Sequence, residues 1–313
     1  MNAPVEFSPP PSTSQRLLAG LLRGTLRLLF RGLMRPPISV PIQRRVLNAL
    51  TAATLAPRGV TRSAEIIAGV PCEWQRAGAA EGRALLYLHG GAYLVGSAAT
   101  HRAITANLAR LGAVDVCAAD YRLAPEYRFP APLEDALAVY QALLARGQDP
   151  ARLAVAGDSA GGHLTLQLAL ALKERGLPLP AALVVFSPVT DVSCAQWHQP
   201  PAGDPLISRA WVESAIAQFC PPGVARDSAQ LSPLFADLAG LPPLLIQVGE
   251  DEVLRNDSLR LAEAAQKRGV AVSLQRYRDC WHVFQAHAGL LRIADRALGE
   301  VAGFLGRHQG GER

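Results

Sequence analysis

Ser159 stands at the centre of Gly157-Asp158-Ser159-Ala160-Gly161, between the apolar run Leu153–Ala156 and a Leu- and Ala-rich helical run from His163 to Arg175. The order is strand, sharp turn, helix, with a hydroxyl at the apex. Glycines two places either side have a steric purpose, because a strained turn that lifts the serine brings neighbouring chain too close for side chains. The helix that follows aims its free N–H groups and positive end at the same point, where a developing oxyanion would be stabilised. The chemistry these residues suit is attack by a serine on an acyl carbon. A glycine-serine-glycine match alone is a weak signal in a chain this rich in Gly and Ala. The strand before it and the helix after it are what separate the reading from an ordinary glycine turn.

Acyl transfer also needs a base, a group to orient the base, and donors for the oxyanion. The apolar run Leu244–Val248 leads into Gly249-Glu250-Asp251-Glu252-Val253, and Ala271–Tyr277 leads into Asp279-Cys280-Trp281-His282. Nucleophile, acid and histidine therefore follow one another on loops after strands, with His282 as the base. His101 and His163 fall in helical stretches, His198 in a Pro-rich segment, and His287 and His308 near the end, where histidines have ordinary structural or solvated roles. His89 belongs to His89-Gly90-Gly91-Ala92-Tyr93, directly after the apolar run Ala84–Leu88. Backbone N–H groups from that loop and from Ala160 are the expected oxyanion donors.

The elements that position these residues alternate. Strands at Ala84–Leu88, Val114–Ala119, Leu153–Ala156, Ala182–Phe186, Leu244–Val248 and Ala271–Tyr277 are interleaved with helices at Thr100–Leu111, Leu133–Arg146, after Ser159, Ser208–Phe219, Ser258–Arg268 and through most of Val283–Gly306. That rhythm means an α/β fold with a mostly parallel sheet covered by helices on both faces. Ala64–Ala77 supplies the opening strands. Residues 192–232, with Trp197 and Trp211, break the rhythm and read as an insertion over the site.

Residues 1–60 read as a tail and helical cap ahead of a catalytic domain at 61–313. Residues 1–15 are Pro- and Ser-rich and are expected to lack fixed structure. Leu17–Met34 is a helix ended by Pro36-Pro37, with a second helix expected over Ile42–Leu55. Arg16, Arg23, Arg27, Arg31 and Arg35 fall within about 120° of helical arc, so the segment cannot sit across a bilayer. Its leucine face is expected to pack on the catalytic domain. The 16–35 helix also leaves contact with a membrane surface open, and a homodimer is compatible with the pattern.

Half of the 313 residues are hydrophobic and 18% are charged, which suits a large core and excludes global disorder. The net charge of +5 comes from arginines crowded near the start, with no aromatic-interleaved basic module, so no nucleic-acid partner is indicated. Five scattered cysteines without a C-x-x-C pair point to free thiols in a reducing, cytoplasmic setting, and to no zinc site. No secretory signal pattern opens the chain.

Three segments in combination carry a resemblance: His89-Gly90-Gly91-Ala92-Tyr93, Asp120-Tyr121-Arg122-Leu123-Ala124-Pro125-Glu126, and Gly157-Asp158-Ser159-Ala160-Gly161-Gly162. From about Ala84 to the C-terminus the chain resembles the hormone-sensitive lipase family of α/β-hydrolases, in its bacterial esterase type, and more loosely the monoterpene lactone hydrolases. The resemblance implies an eight-stranded sheet with an antiparallel start, an N-terminal helical cap, a serine–acid–histidine triad, and no cofactor or metal. It implies hydrolysis of a small-molecule carboxylic ester with an acyl chain up to about eight carbons. A lactone hydrolase with the same triad, an interfacial lipase, and a non-catalytic small-molecule receptor are the rival readings. His282 speaks against the receptor.

Carried over by position, the oxyanion loop is Gly90, Gly91 and Ala92, with donors at Gly91, Ala92 and Ala160. Ala92 stands where the family has a third glycine. Tyr93, Trp197 and Trp211 are the expected substrate-binding side chains. The family's frame places Glu252, thirty residues before His282, as the triad acid, with Asp251 as the alternative. Arg122 is expected to pair with Glu126 or Asp135. His163 replaces a small polar residue after the elbow.

Overall fold

The computed structural model describes residues 4–10, 12–52, 57–78 and 80–310. The chain begins with strand β1 (Val5–Phe7) and helices α1 (Thr13–Leu33) and α2 (Val40–Thr51), then the hairpin β2 (Thr61–Ile67) and β3 (Val70–Arg76). There follow β4 (Ala84–Leu88), α3 (Arg102–Gly112), β5 (Asp115–Ala119), α4 (Ala131–Ala145), β6 (Leu153–Asp158), α5 (Ala160–Glu174) and β7 (Ala182–Phe186). After α6 (Arg209–Phe219) come β8 (Leu244–Gly249), α7 (Arg255–Lys267), β9 (Val272–Tyr277) and α8 (Arg292–His308). One sheet runs β1-β9-β8-β7-β6-β4-β5-β3-β2, with β3 antiparallel to both of its neighbours, β2 and β5, and every other neighbouring pair parallel.

The central strands β4, β6, β7 and β8 are buried along their whole length, which is why they read as continuous apolar runs rather than alternating ones. Successive side chains point to opposite faces. Leu86, Leu88, Val155, Val185 and Ile246 join a core under α4, α5 and α7, while Leu85, Tyr87, Ala156, Val184 and Phe186 join one under α3 and α8. Burying such side chains stabilises the fold by about 1.5–3 kcal/mol each.

Three expectations change. The sheet has nine strands rather than eight, because β1 lies in the tail expected to lack structure. Val5–Phe7 adds a parallel ladder to β9, and Phe7 stacks on Tyr277 with ring centroids 4.8 Å apart. Three residues are too few to show a period, and the prolines beside them read as loop. The second helix starts at Val40 rather than Ile42, and Leu55 lies outside the described residues. The C-terminal helix is interrupted: a short 3-10 turn covers Phe284–His287, and α8 begins only at Arg292.

Helix α1 also packs differently from the expected single leucine face. Leu18, Leu22 and Leu26 rest partly buried against a cluster that includes Phe7, Tyr277, Trp281 and Phe284. A second leucine row, Leu17, Leu21 and Leu28, is 70%, 68% and 76% exposed. Part of the arginine stripe turns inward instead. Arg23 pairs with Asp251 at 2.6 Å and lies over the Trp281 ring, and Arg27 donates to the Ala202 and Gly203 carbonyls. Among the described residues no helix is long and apolar enough to cross a membrane.

Candidate active site

The parallel strands end on one edge of the sheet, and β6, β7, β8 and β9 are consecutive neighbours there. Ser159 leaves β6 at φ 53° and ψ −117° and forms the N-terminal boundary of α5. A non-glycine residue held at positive φ is strained, and the surroundings must enforce it. Ser159 N donates to the Phe186 carbonyl at 2.8 Å, which fixes the turn against β7. A Cβ on Gly157 would strike the Gly161 carbonyl, and one on Gly161 would strike the Leu88 carbonyl. The flanking glycines are therefore demanded by backbone on both sides, as the elbow reading requires.

Glu252 and His282 come together on the loops after β8 and β9. His282 Nδ1 lies 3.4 Å from Glu252 Oε1, and a carboxylate can only accept, so Nδ1 carries the proton and Nε2 is left as acceptor. Glu252 Oε2 accepts from Ser187 Oγ at 2.7 Å and from Gly249 N at 2.9 Å. Both residues are buried. Burial works against the imidazolium of His282, but the Glu252 hydrogen bond and charge, with Asp204 and Asp158 behind, outweigh it and hold the group above its ordinary value. The neighbouring acids face elsewhere. Asp251 is turned to Arg23 of α1, and Glu250 is held between Arg255 and Arg276.

The loop after β4 contains three successive residues at positive φ: Gly91 at 121°, Ala92 at 53° and Tyr93 at 61°. Among the described residues, the N–H groups of Gly91, Ala92 and Ala160 have no hydrogen-bond acceptor. Gly90 is different. Its N–H donates to Asp158 Oδ1 at 3.1 Å, so it is already committed, and Gly90 drops out as an oxyanion donor.

Asp158 is a residue whose role the sequence did not reveal. Its carboxylate also accepts from Tyr87 Oη at 2.6 Å and lies 3.3 Å from His101 Nε2. Burial raises its pKa, but the His101 charge and hydrogen bonds prevail and hold it below the usual carboxylate range. His101 is held above its ordinary value because Asp158 outweighs its burial. The loop after β4 is thereby tied to the elbow by the Gly90 hydrogen bond, and the turn before α3 by the Asp158–His101 pair. Asp158 was visible inside the serine motif, but nothing in the sequence joined it to a histidine 57 residues upstream.

His163 is explained by the same kind of clasp. Its Nε2 lies 2.7 Å from the Leu231 carbonyl and must donate there, so Nδ1 accepts from Tyr93 Oη at 2.6 Å. Burial lowers its pKa to about 4, which keeps the ring neutral. Tyr93 in turn stacks on Phe219, centroids 3.8 Å apart. His89 also stays neutral, its pKa lowered to about 3 chiefly by burial. Arg122 pairs with Asp135 and Glu134, not with Glu126, because Arg44 of α2 has taken Glu126.

A cavity of about 40 Å³ opens at Ser159, walled by Tyr93, Val192, Trp211, Val212, Phe219 and Leu254. Trp197 does not line it and rests half-buried on the main core instead. A larger cavity of about 600 Å³ lies between α1 and the loop after β9, walled by Arg23, Asp251 and Trp281. The insertion is stitched to the acid loop, with Asp204 Oδ2 accepting from Val253 N at 3.1 Å. Among the described residues no cluster of His, Cys, Asp or Glu could hold a metal ion.

Comparison with known proteins fits this geometry. A family profile for the α/β-hydrolase fold matches residues 85–286. An acetyl-hydrolase of Streptomyces hygroscopicus is 40% identical over 242 residues, covering 77% of this chain and 80% of that protein. An ethyl acetate hydrolase of Pseudomonas putida is 36% identical over 234 residues, covering 72% and 74%. The crystal structure of an esterase from the bacterial hormone-sensitive lipase family superposes with a TM-score of 0.86 at 36% identity, covering 96% of this chain and all of that one.

Proposed function

The chain belongs to the hormone-sensitive lipase family of α/β-hydrolases and is a carboxylesterase acting on small esters; from that premise we propose that Ser159, His282 and Glu252 are its triad, with Gly91, Ala92 and Ala160 as oxyanion donors. His282 Nε2 takes the proton as Ser159 Oγ attacks the ester carbonyl carbon. The carbonyl oxygen becomes an oxyanion and accepts from the three free N–H groups. As the tetrahedral centre collapses, the C–O bond to the alcohol breaks and His282 returns the proton to the leaving oxygen. Water, deprotonated by the same nitrogen, then attacks the acyl-enzyme; the bond from the acyl carbon to Ser159 Oγ breaks, the acid leaves and His282 returns the proton to Oγ. Glu252 holds the tautomer and the developing imidazolium throughout. Tyr93 and Trp211 bound the acyl group.

The observation that carries this reading is the buried Glu252–His282 contact, beside a serine strained at an elbow. A fluorophosphonate probe should label Ser159, and Ser159→Ala should abolish both labelling and hydrolysis of p-nitrophenyl acetate. Labelling that persists on another serine overturns the assignment.

Residues 1–60 and the 192–232 insertion act on this reading as a cap over the site, and α1 gives the cap a second role at an anionic lipid surface. Residues 1–60 hold eight arginines against the single acid Glu6, although the whole chain carries only +5. Beside the exposed Leu17, Leu21 and Leu28, the arginines Arg16, Arg31 and Arg35 are exposed as well. Apolar contact plus attraction to anionic headgroups is how interfacial helices bind. Co-sedimentation with phosphatidylglycerol vesicles but not phosphatidylcholine vesicles is expected, and its loss in the Leu17→Ser, Leu21→Ser, Leu28→Ser triple variant. Equal binding by the triple variant refutes the contact.

A further inference from the structure

We propose that Gln43, in α2 of the N-terminal region, restricts the acyl chain to about two to four carbons by fixing the Trp211 indole as a wall of the cavity at Ser159. The inference rests on the esterase reading above and sharpens its substrate class.

The cavity is small. At about 40 Å³ it holds roughly three water-sized groups, the size of a short acyl chain. Its walls are almost wholly apolar, so they discriminate by shape, and a longer chain can enter only if a side chain moves. The two aromatic walls differ in how they are held. Tyr93 is pinned from within the catalytic domain, by its stack on Phe219 and its hydrogen bond to His163. Trp211 is pinned from outside it. Its Nε1 donates to Gln43 Oε1 at 2.9 Å, across 168 residues of chain, and both side chains are buried.

The orientation of the Gln43 amide follows from its other contact. Its Nε2 donates to the Ile38 carbonyl at 2.7 Å, which leaves the amide oxygen facing the indole. Gln43 thus spans the turn before α2 and the plate on α6. A buried indole N–H has no water to replace that acceptor, so the plate stays where the amide puts it. Gln43 is a positioning residue here: it acts on the substrate only through Trp211.

The test uses the full chain and the kcat/KM ratio of p-nitrophenyl octanoate to p-nitrophenyl acetate. The wild type is expected to favour acetate and butyrate over octanoate by at least roughly tenfold, the scale on which an apolar pocket rejects extra methylenes. Trp211→Ala should raise the octanoate-to-acetate ratio by roughly tenfold, and Gln43→Leu by several-fold. In a Trp211→Phe background, where the ring persists but the donor is gone, Gln43→Leu should change nothing further. If Trp211→Ala fails to fold, the two Gln43 comparisons still decide. A flat wild-type profile overturns the inference. So does a Gln43→Leu variant whose ratio is unchanged, or one that loses rate equally on every ester, since that marks a merely structural residue. Absence of turnover on any ester by the wild type would instead strike at the esterase reading.

Discussion

The carboxyl edge of the sheet and the N-terminal helix α1 are built on opposite principles. At the sheet edge, Glu252 has fixed partners on three elements, Asp158 on three, and His163 on two. These groups are buried, so a lost partner cannot be replaced by water, and each contact over-determines the next. Along α1 no residue is fully buried, and the contacts run through guanidinium tips, the Gln15 amide and one leucine row. The same chain thus holds its chemistry with interlocked buried hydrogen bonds and its lid with a few long arms. The outliers at Ala92, Tyr93 and Ser159 lie where the surroundings are rigid enough to maintain them.

The largest effect should come from breaking the rigid region at a point where the fold does not depend on it. Among the described residues the Ser159 hydroxyl makes no hydrogen bond, so Ser159→Ala should leave the melting temperature nearly unchanged while turnover falls by roughly 10³–10⁶-fold. A large fall in stability would mean that the elbow is held through the hydroxyl rather than through backbone.

The next test sets two neighbouring acids of one loop against each other, Glu252 facing His282 and Asp251 facing α1. Glu252→Gln should lower kcat by about 10³–10⁴-fold by mis-setting the His282 tautomer. Glu252 also raises the His282 pKa, so in this variant the acid limb of kcat/KM should move to lower pH. Asp251→Asn breaks only the contact to Arg23 and should change kcat by a few-fold at most. If Asp251→Asn is crippled and Glu252→Gln is not, the acid has been assigned to the wrong residue.

Asp158→Asn probes the clasp behind the oxyanion loop. The Gly90 contact can survive through the amide oxygen, but the ion pair with His101 cannot. An activity loss of roughly 10–10³-fold is expected, up to the scale of one lost oxyanion donor. The pH dependence has a definite sign. The raised pKa of His101 contributes stability that is complete below the ordinary histidine value and is lost as pH rises through the folded one. The lowered pKa of Asp158 contributes stability that is present above the ordinary carboxylate value and is lost as pH falls through the folded one. The wild type should therefore exceed Asp158→Asn in thermal stability most clearly between those limits, as calorimetry across pH would show. A constant difference at every pH excludes the ion pair as its source.

The same division decides what the sequence made legible. The order of serine, acid and histidine, and each one's place after a strand, could be read because local sterics and strand periodicity dictate them. That Glu252 rather than Asp251 meets His282 could be read only through a family frame, since three adjacent carboxylates look alike until Arg23, Arg255 and Arg276 claim two of them. Long-range pairs left no trace: Asp158 with His101, Gln43 with Trp211, and β1 with β9 each depend on chain brought together only by folding. The α1 packing was half legible, because a helix with two leucine rows has one moment and two candidate faces.

The smallest effect, and the one that distinguishes buried anchoring from surface charge in the N-terminal region, concerns Arg44 of α2. Its guanidinium reaches two backbone carbonyls, Leu94 at 2.7 Å and Ala124 at 2.8 Å, and also forms a two-point contact with Glu126 at 2.8 and 2.9 Å. Leu94 directly follows the strained loop after β4 and Ala124 lies within the Tyr121–Glu126 stretch, so these bonds, with the one from Trp211 to Gln43, join α2 to the catalytic domain. The Glu126 side chain is 48% exposed, and a solvated ion pair of that kind contributes about 0–1 kcal/mol. Glu126→Gln should therefore cost at most about 0.5 kcal/mol, with little change between low and high salt. Arg44→Ala removes the donors to both carbonyls, and at about 1 kcal/mol per lost hydrogen bond it should cost about 1–2 kcal/mol with weak salt dependence. Denaturant titration at two ionic strengths measures both. If Glu126→Gln matches Arg44→Ala and both effects fade in salt, surface charge holds the N-terminal region in place, and the contrast between the two regions is one of electrostatics rather than of burial.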